Sequence, residues 1–161
     1  MNQEQNAKLW DMIKSTQFAM LTTEDGPHLR SRPMAASQSS FDGTLWFFTH
    51  ASAHKVEEVE ADQRVGVSYA DPKLQNYVSL SGRAKLVQDK ASIDAHWSDI
   101  LTTWFPKGKD DSDTALLRVD IDQAEYWDAP NSKMIHAYGY VKAKLTGTPP
   151  QAGENEKIQV R

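Results

Sequence analysis

The spacing of apolar residues predicts helices at the start and in the second half of the chain. Residues 4–14 carry Leu9 and Ile13 four positions apart, and Trp10 widens the same apolar stripe. This pattern is typical of an amphipathic helix. The same spacing predicts a second amphipathic helix over residues 91–101.

Between and after these helices, alternating apolar and polar positions and short β-prone apolar runs predict strands. The strand predictions cover residues 18–22, 28–36, 45–49, 63–70, 77–87, 115–121 and 124–127. Asp25-Gly26 predicts a turn, and Asp42-Gly43 predicts a hairpin. In the longest strand, Gly82 lies at the centre of the apolar face, which indicates a sharp bend or a bulge.

The strand at residues 45–49 is apolar on both faces. Trp46 and Phe48 lie on one face, and Leu45 and Phe47 lie on the other. A barrel core accounts for one covered face. The other needs a helix, a partner subunit or a planar ligand.

Many short strands with few helices, and no strand–helix alternation, predict a mainly β fold: a β-barrel with peripheral α-helices. No repeat or linker interrupts the chain, so we expect one domain over residues 1–145. After Thr146 the composition changes to Gly, Pro and polar residues. Residues 146–161 are therefore expected to form a tail that is frayed or ordered only on contact.

Composition narrows the function classes. The chain has 161 residues and no cysteine, which excludes disulfides, thiolate catalysis and Cys-ligated zinc. Its net charge of −4 disfavours general binding to nucleic acid or to a membrane. The longest apolar run is too short to span a bilayer, and the N-terminus lacks a signal-peptide pattern. We therefore expect a cytoplasmic protein.

A first candidate for chemistry is Arg30-Ser31-Arg32. In a strand, Arg30 and Arg32 point to the same side, where the two guanidinium groups repel each other unless an anion or a carboxylate lies between them. Two interpretations follow. Either the arginines are exposed and paired with nearby acids, or they bind an anionic ligand.

A second candidate is Ser52-Ala53-His54-Lys55. Ser52 is the predicted N-cap of a short helix, which places Lys55 in the first turn, where a cation opposes the helix dipole. An anion bound at the helix start would remove this mismatch. The alternative is that Lys55 is solvated and paired with Glu57 or Glu58.

Other chemistries lack their sequence patterns. His50 and His54 are four residues apart but have no third ligand at metal-site spacing, so no metal is expected. The chain has no nucleophile elbow, phosphate loop or dinucleotide-binding glycine motif. Trp104-Phe105 borders a charged loop, which is typical of a pair packed under a loop or across an interface.

Six short segments of this chain occur in the order seen in one known family. They are Pro27-His28-Leu29-Arg30-Ser31-Arg32-Pro33-Met34, Gly43-Thr44-Leu45-Trp46-Phe47-Phe48-Thr49, Ser52-Ala53-His54-Lys55, Val78-Ser79-Leu80-Ser81-Gly82-Arg83-Ala84, Trp104-Phe105-Pro106-Lys107-Gly108 and Glu125-Tyr126-Trp127. Through these segments the chain resembles the pyridoxamine 5′-phosphate oxidase-like, FMN-binding split β-barrels, and among them the general stress protein 26 group. Each segment alone is a weak signal, whereas the ordered set is specific.

The resemblance implies a homodimer that holds flavin between its subunits, with FMN as the expected cofactor and FAD as the alternative. The cofactor-binding residues that it implies from one chain are Arg30, Ser31, Arg32, Phe47, Phe48, Thr49, Ser52 and Lys55. Those that it implies from the partner chain are Tyr77, Ser79 and Trp127. It assigns no catalytic residue.

One segment departs from the pattern of the pyridoxamine phosphate oxidases. In those enzymes a basic segment after the position of Trp127 binds the substrate phosphate, whereas this chain continues Asp128-Ala129-Pro130-Asn131. Pyridoxamine phosphate oxidation is therefore not expected. The expected function is that of an FMN-binding stress protein: a flavin carrier, a redox sensor or an oxidoreductase. The alternatives are an oxidase of the pyridoxamine phosphate type, a non-catalytic dimer, and a barrel that binds haem or a deazaflavin.

Overall fold

The computed structural model describes residues 3–128 and 154–160. Its elements, in chain order, are α1 (Gln3–Ile13), β1 (Ala19–Asp25), β2 (His28–Met34), β3 (Thr44–His50), α2 (His54–Ala61), β4 (Arg64–Asp71), β5 (Asn76–Val87), α3 (Lys90–His96), a 3₁₀ helix (Asp99–Thr103), β6 (Thr114–Asp128) and β7 (Glu154–Gln159). The fold is mainly β, as predicted. None of the described helices has the length and apolar character needed to cross a membrane.

The strands form one antiparallel sheet in the order β2-β1-β4-β5-β6-β3, and β7 also pairs with β6. One edge of β6 pairs with β5. The other edge of β6 pairs first with β3 and then with β7. The sheet is open between β2 and β3. Within the described residues, the link between the two ends is a single bridge from Ala36 to Phe47.

A bulge joins the two halves of β6 into one strand, which corrects the prediction of separate strands at residues 115–121 and 124–127. Gly82 lies opposite Ile121 and Ser81 lies opposite Gln123, so Asp122 is an extra residue on β6. The extra residue shifts the phase of the alternating pattern, and the shift resembles a strand end in the sequence. The predicted irregularity at Gly82 is confirmed.

Two turn predictions have different outcomes. Asp25-Gly26 closes the β1–β2 hairpin, with Gly26 at φ +59°. The predicted hairpin at Asp42-Gly43 is wrong, because β3 pairs with β6 and not with the preceding strand. The Asp42 carboxylate instead accepts the Thr44 N–H at 3.0 Å, which makes a local turn that precedes β3.

Both faces of β3 are covered within the described chain. Leu45 and Phe47 are fully buried in the barrel core. On the opposite face Phe48 packs with Ile93 of α3 and with Phe105. The sequence left a helix, a partner subunit or a planar ligand as the cover of this face, and the structure shows the helical segment there.

The helix predicted at residues 91–101 is shorter in the structure. It ends at His96, and Trp97 is extended before the 3₁₀ helix begins. Ser98 and Asp99 favour helix caps over helix interiors, which accounts for the break at this point.

Part of the predicted tail is a strand. β7 pairs with the second half of β6, and Ile158 is buried in the core. Residues 129–153 lie outside the described residues. A domain over residues 1–145 with a tail over residues 146–161 therefore stays a prediction.

Candidate functional site

A small pocket with several cations lies where β2 meets the start of α2. Arg30 and Arg32 alternate with Ser31 along β2, so their side chains point to the same side, as predicted. The pocket has a volume of about 290 Å³ and is called the cation pocket below. It is lined by Arg30, Arg32, Pro33, Met34, Ala53, His54 and Lys55.

Both arginines contact the buried carboxylate of Glu58 on α2. An Arg32 guanidinium nitrogen lies 2.6 Å from Oε2 of Glu58, and an Arg30 nitrogen lies 3.5 Å from Oε1. Arg30 also lies 3.6 Å from Asp25. The predicted pairing with acids is therefore present, although Arg32 is mostly buried. The two arginines therefore pair with acids and also line a concave pocket.

Lys55 is half-buried, and its ammonium group donates a hydrogen bond to the Thr49 hydroxyl at 3.1 Å. Within the described residues it forms no ion pair with Glu57 or Glu58, so the alternative of a solvated surface pair is not observed. Burial, followed by the nearby charge of Arg32, lowers the pKa of Lys55. The site thus holds a cation in surroundings that disfavour its charge.

The helix start differs from the prediction. The N-cap of α2 is Ala53, which supplies no side-chain hydrogen bond, so the assignment of Ser52 as the cap is wrong. Ser52 turns instead to Asp113, whose carboxylate accepts its N–H at 2.8 Å and its hydroxyl at 3.1 Å. The first turn of α2 has no side-chain cap and borders the cation pocket. Its backbone N–H groups could therefore donate hydrogen bonds to an anion there.

His54 adds a titratable group to the pocket. Its two ring nitrogens lie 2.9 Å from Glu57 and 3.3 Å from Asp25. The hydrogen bonds to Glu57 and Asp25 raise the pKa of His54. Asp25, His54 and Glu58 are close enough together to hold a metal ion. Arg30 contacts both of these carboxylates, however, so protein cations already neutralise the cluster.

A larger apolar cleft adjoins the cation pocket and shares Pro33, Met34 and Lys55 with it. Its volume is about 540 Å³. The aromatic side chains along it are Trp10, Phe18, Phe48, Tyr69, Trp104 and Phe105. Lys55 therefore stands between a charged compartment and an aromatic one.

The structure distributes the implied cofactor residues unevenly around these two cavities. Phe48 and Thr49 line the apolar cleft. Phe47 does not, because its side chain fills the barrel core on the opposite face of β3. Ser52 lines neither cavity.

Another group of implied residues lies on the outer face of the sheet. Ser31 contacts the Thr22 hydroxyl at 2.7 Å. Tyr77 and Trp127 lie directly opposite each other on β5 and β6 and are 42% and 40% exposed. Ser79 follows Tyr77 by two positions, so it shares the same face. None of these four lines either cavity.

Sequence reasoning missed two polar groups of this region. Tyr69, in the strand predicted over residues 63–70, was not assigned to the site, yet it lines the cleft, and its buried hydroxyl has no hydrogen-bond partner in the part of the chain that the structure describes. Burial raises the pKa of Tyr69. Glu58 was considered only as a partner of Lys55. The sequence pattern contained a signal for Tyr69, because its hydroxyl lies among the apolar positions of β4. A buried hydroxyl normally needs a hydrogen-bond partner.

Comparison with known proteins identifies relatives over most of the chain. The family model described as pyridoxamine 5′-phosphate oxidase like matches residues 4–151. General stress protein 26 of Bacillus subtilis is 27% identical, over 74% of this chain and 86% of that protein.

Solved structures agree with this assignment. A protein from Jannaschia sp. CCS1 assigned as general stress protein 26 is 25% identical and covers 97% of this chain and 98% of its own, with a TM-score of 0.77. The general stress FMN/FAD binding protein of Xanthomonas citri is 28% identical and covers 82% of this chain and 92% of its own, with a TM-score of 0.70. These similarities confirm the predicted split β-barrel with peripheral helices. The chain belongs to the pyridoxamine 5′-phosphate oxidase-like family, and its relatives there include general stress protein 26 proteins.

Proposed function

We propose that this protein binds a phosphate-bearing flavin, FMN first and FAD as the alternative, across the cation pocket and the apolar cleft. The observation that carries the proposal is the position of Lys55, which lines both cavities. A flavin mononucleotide has the matching chemistry, with a phosphate at one end and a planar aromatic ring system at the other.

The residues present fit such a ligand. Arg30, Arg32 and Lys55 would hold the phosphate, because guanidinium and ammonium groups donate strong charge-assisted hydrogen bonds to phosphate oxygens. Phe48 and Thr49 border the space for the ring system. The flavin, when bound, would supply electron-transfer chemistry, while the protein supplies binding, orientation and electrostatics.

The relatives support the same ligand. The Xanthomonas citri protein is itself described as binding FMN or FAD. From this family we infer a redox role as a flavin carrier, a sensor or an oxidoreductase. The expected location in the cytoplasm stays a prediction. The segment that would distinguish a pyridoxamine phosphate oxidase follows Trp127, and all of it after Asp128 lies outside the described residues. The absence of that activity stays a prediction.

We further propose a homodimer in which a second copy completes the flavin site. Tyr77, Ser79 and Trp127 line neither the cation pocket nor the apolar cleft of their own chain, which suits a contribution to the site of another chain. Their exposed face includes two large aromatic side chains. Such a patch is typical of an interaction surface.

Ligand titration tests the proposal. Protein freed of bound flavin is titrated with FMN and, as the matched control, with riboflavin, which lacks the phosphate. FMN is expected to bind at least about tenfold more tightly, since one charge-assisted hydrogen bond contributes about 1.5–3 kcal/mol. Equal affinities would contradict the assignment of the phosphate to the cation pocket. The absorption spectrum of the purified protein separates flavin from haem.

A further inference from the structure

Glu58 is a buried acid that contacts three of the residues lining the cation pocket. Its side chain is 2% exposed, and Oε2 lies 2.6 Å from an Arg32 nitrogen. The buried Thr23 hydroxyl donates to the same carboxylate oxygen. Oε1 lies 3.5 Å from Arg30 and 3.5 Å from His54. Glu58 therefore contacts most of the positive charge of the cation pocket.

The contacts of Arg32 leave part of its guanidinium available. In the part of the chain that the structure describes, Arg32 donates hydrogen bonds to the Thr23 hydroxyl and to Glu58, both at 2.6 Å. A guanidinium has five N–H donors, so these two contacts do not use all of them, and Arg32 also lines the cation pocket. A phosphate group in this pocket would approach the same cation that Glu58 already neutralises.

A carboxylate and a phosphate near one guanidinium attract it but repel each other. Like charges a few ångströms apart in surroundings of low polarity interact strongly. The negative charge of Glu58 stabilises the empty pocket, in which Arg30, Arg32 and Lys55 would otherwise repel one another. The same charge weakens the binding of any anion that enters.

We propose that Glu58 is an internal counter-ion that competes with the phosphate of the ligand for Arg32 and thereby sets how readily the ligand exchanges. This inference rests on the proposed function, since it takes a phosphate-bearing flavin as the natural ligand. It assigns Glu58 to regulation of occupancy and not to chemistry.

If Glu58 competes with the phosphate, removing its charge should change the stability of the ligand-free protein and its affinity for phosphate in opposite directions. Removing the charge of Glu58 leaves the cations of the empty pocket unneutralised, so the ligand-free protein becomes less stable. The incoming phosphate then meets no competing charge, so it binds more tightly. If Glu58 only positioned Arg32, its replacement would lower both stability and affinity.

The experiment compares Glu58→Gln with the wild-type protein and with a control, Glu57→Gln. Glutamine keeps the shape of Glu58 and an oxygen that can accept from Arg32 and Thr23. Glu57 lies one position earlier on α2, is exposed, and contacts His54 but neither arginine. Thermal unfolding of flavin-free protein is followed against inorganic phosphate at constant ionic strength, and FMN is titrated separately.

For Glu58→Gln we expect a lower melting temperature without phosphate, and apparent dissociation constants for phosphate and for FMN about tenfold below those of the wild type. Glu57→Gln should retain the wild-type affinity for phosphate. If Glu58→Gln is unfolded without phosphate, added phosphate should restore the folded state, because binding to the folded form shifts the equilibrium.

An unchanged or weaker phosphate affinity, or a failure of phosphate to stabilise any of the proteins, would overturn the proposal. The flavin assignment is tested separately, by the FMN and riboflavin titration of the wild type. A protein that binds phosphate but no flavin would refute the proposed function and leave the comparison at Glu58 decisive.

Discussion

At the scale of single residues, Lys55 connects the two cavities of the site. Its ammonium group contacts the Thr49 hydroxyl, and burial lowers its pKa. The folded state therefore disfavours the charge of Lys55, a cost that becomes understandable if a bound anion offsets it. A half-buried lysine without a carboxylate partner is uncommon, because buried charges are normally paired.

Replacing Lys55 by methionine is expected to weaken FMN binding about tenfold or more, because one charge-assisted contact to the phosphate is lost. Methionine retains most of the apolar stem, so the fold should be kept. Lys73→Met, at an exposed lysine of the β4–β5 turn, is the matched control and should leave the affinity unchanged. Equal effects of the two substitutions, measured by fluorescence titration, would show that Lys55 is an ordinary surface charge.

The raised pKa of His54 predicts that the stability of the protein depends on pH. Its hydrogen bonds to Glu57 and then Asp25 raise its pKa above the ordinary value of 6.5, so the folded state binds the proton more tightly than the unfolded state. The resulting stabilisation is fully present below that ordinary value and is lost as the pH rises through the raised value. The acids that face His54 are Asp25, Glu57 and Glu58.

The test is the difference in melting temperature between the wild type and His54→Gln, taken from about pH 5 to about pH 8. The wild type should be the more stable protein at the acidic end, and the difference should shrink toward the basic end. A difference that stays constant across this range would exclude His54 as the source.

At the scale of elements, the bulge between β5 and β6 requires a glycine at position 82. Gly82 lies against the β6 backbone, where an added Cβ would lie 2.2 Å from the Asp120 carbonyl oxygen. Only a residue without a Cβ fits this approach of two strands. Beyond the bulge, β6 exchanges β3 for β7 as its neighbour.

Gly82→Ala is therefore expected to destabilise the protein by about 2 kcal/mol or more, since the clash is with backbone atoms that cannot move alone. Gly66→Ala on β4 is the control, because its Cβ would lie 3.8 Å from Thr22 and 4.0 Å from the Leu80 carbonyl oxygen, both ordinary contact distances. That change should be neutral or slightly stabilising. Urea unfolding of the two variants measures both effects, and similar free energies of unfolding would contradict the close approach at Gly82.

At the scale of the whole molecule, the basis for a dimer differs from the one that the sequence offered. The apolar strand β3 needs no second subunit, because α3 and Phe105 cover its outer side. In the described strands, the large apolar side chains that are exposed lie elsewhere, at Met20, Leu29, Tyr77 and Trp127. An interface on this face would place Tyr77 and Trp127 against another copy.

Flavin binding and dimerisation are expected to be coupled, because a ligand that contacts both chains stabilises their association in return. Sedimentation across a dilution series should show dissociation at lower protein concentration when FMN is present. Trp127→Ala should weaken FMN binding although Trp127 lines neither the cation pocket nor the apolar cleft of its own chain.

Mixing the Trp127→Ala and Lys55→Met proteins provides the decisive control. Each variant alone carries a defect in every site, whereas a mixed dimer contains one site with both native residues. Recovery of tight FMN binding on mixing is expected. A monomer that holds FMN at full affinity, or a mixture that recovers nothing, would contradict a shared site.

The sequence by itself determined the features that depend on local geometry. Side chains alternate along a strand and recur every three to four positions along a helix, so α1, β4 and β5 could be predicted from pattern. The same alternation placed Arg30 and Arg32 on one side of β2, and the glycine in an apolar face indicated the irregularity at Gly82.

Only the tertiary structure decided which elements meet. The pairing of Arg32 with Glu58 joins positions 26 residues apart, and no local pattern encodes such a contact. The tertiary structure also decides three further features: α3 covers β3, β6 continues through its bulge, and β7 pairs with β6. Each depends on long-range packing and hydrogen bonding, which select among arrangements that the local pattern leaves equally allowed.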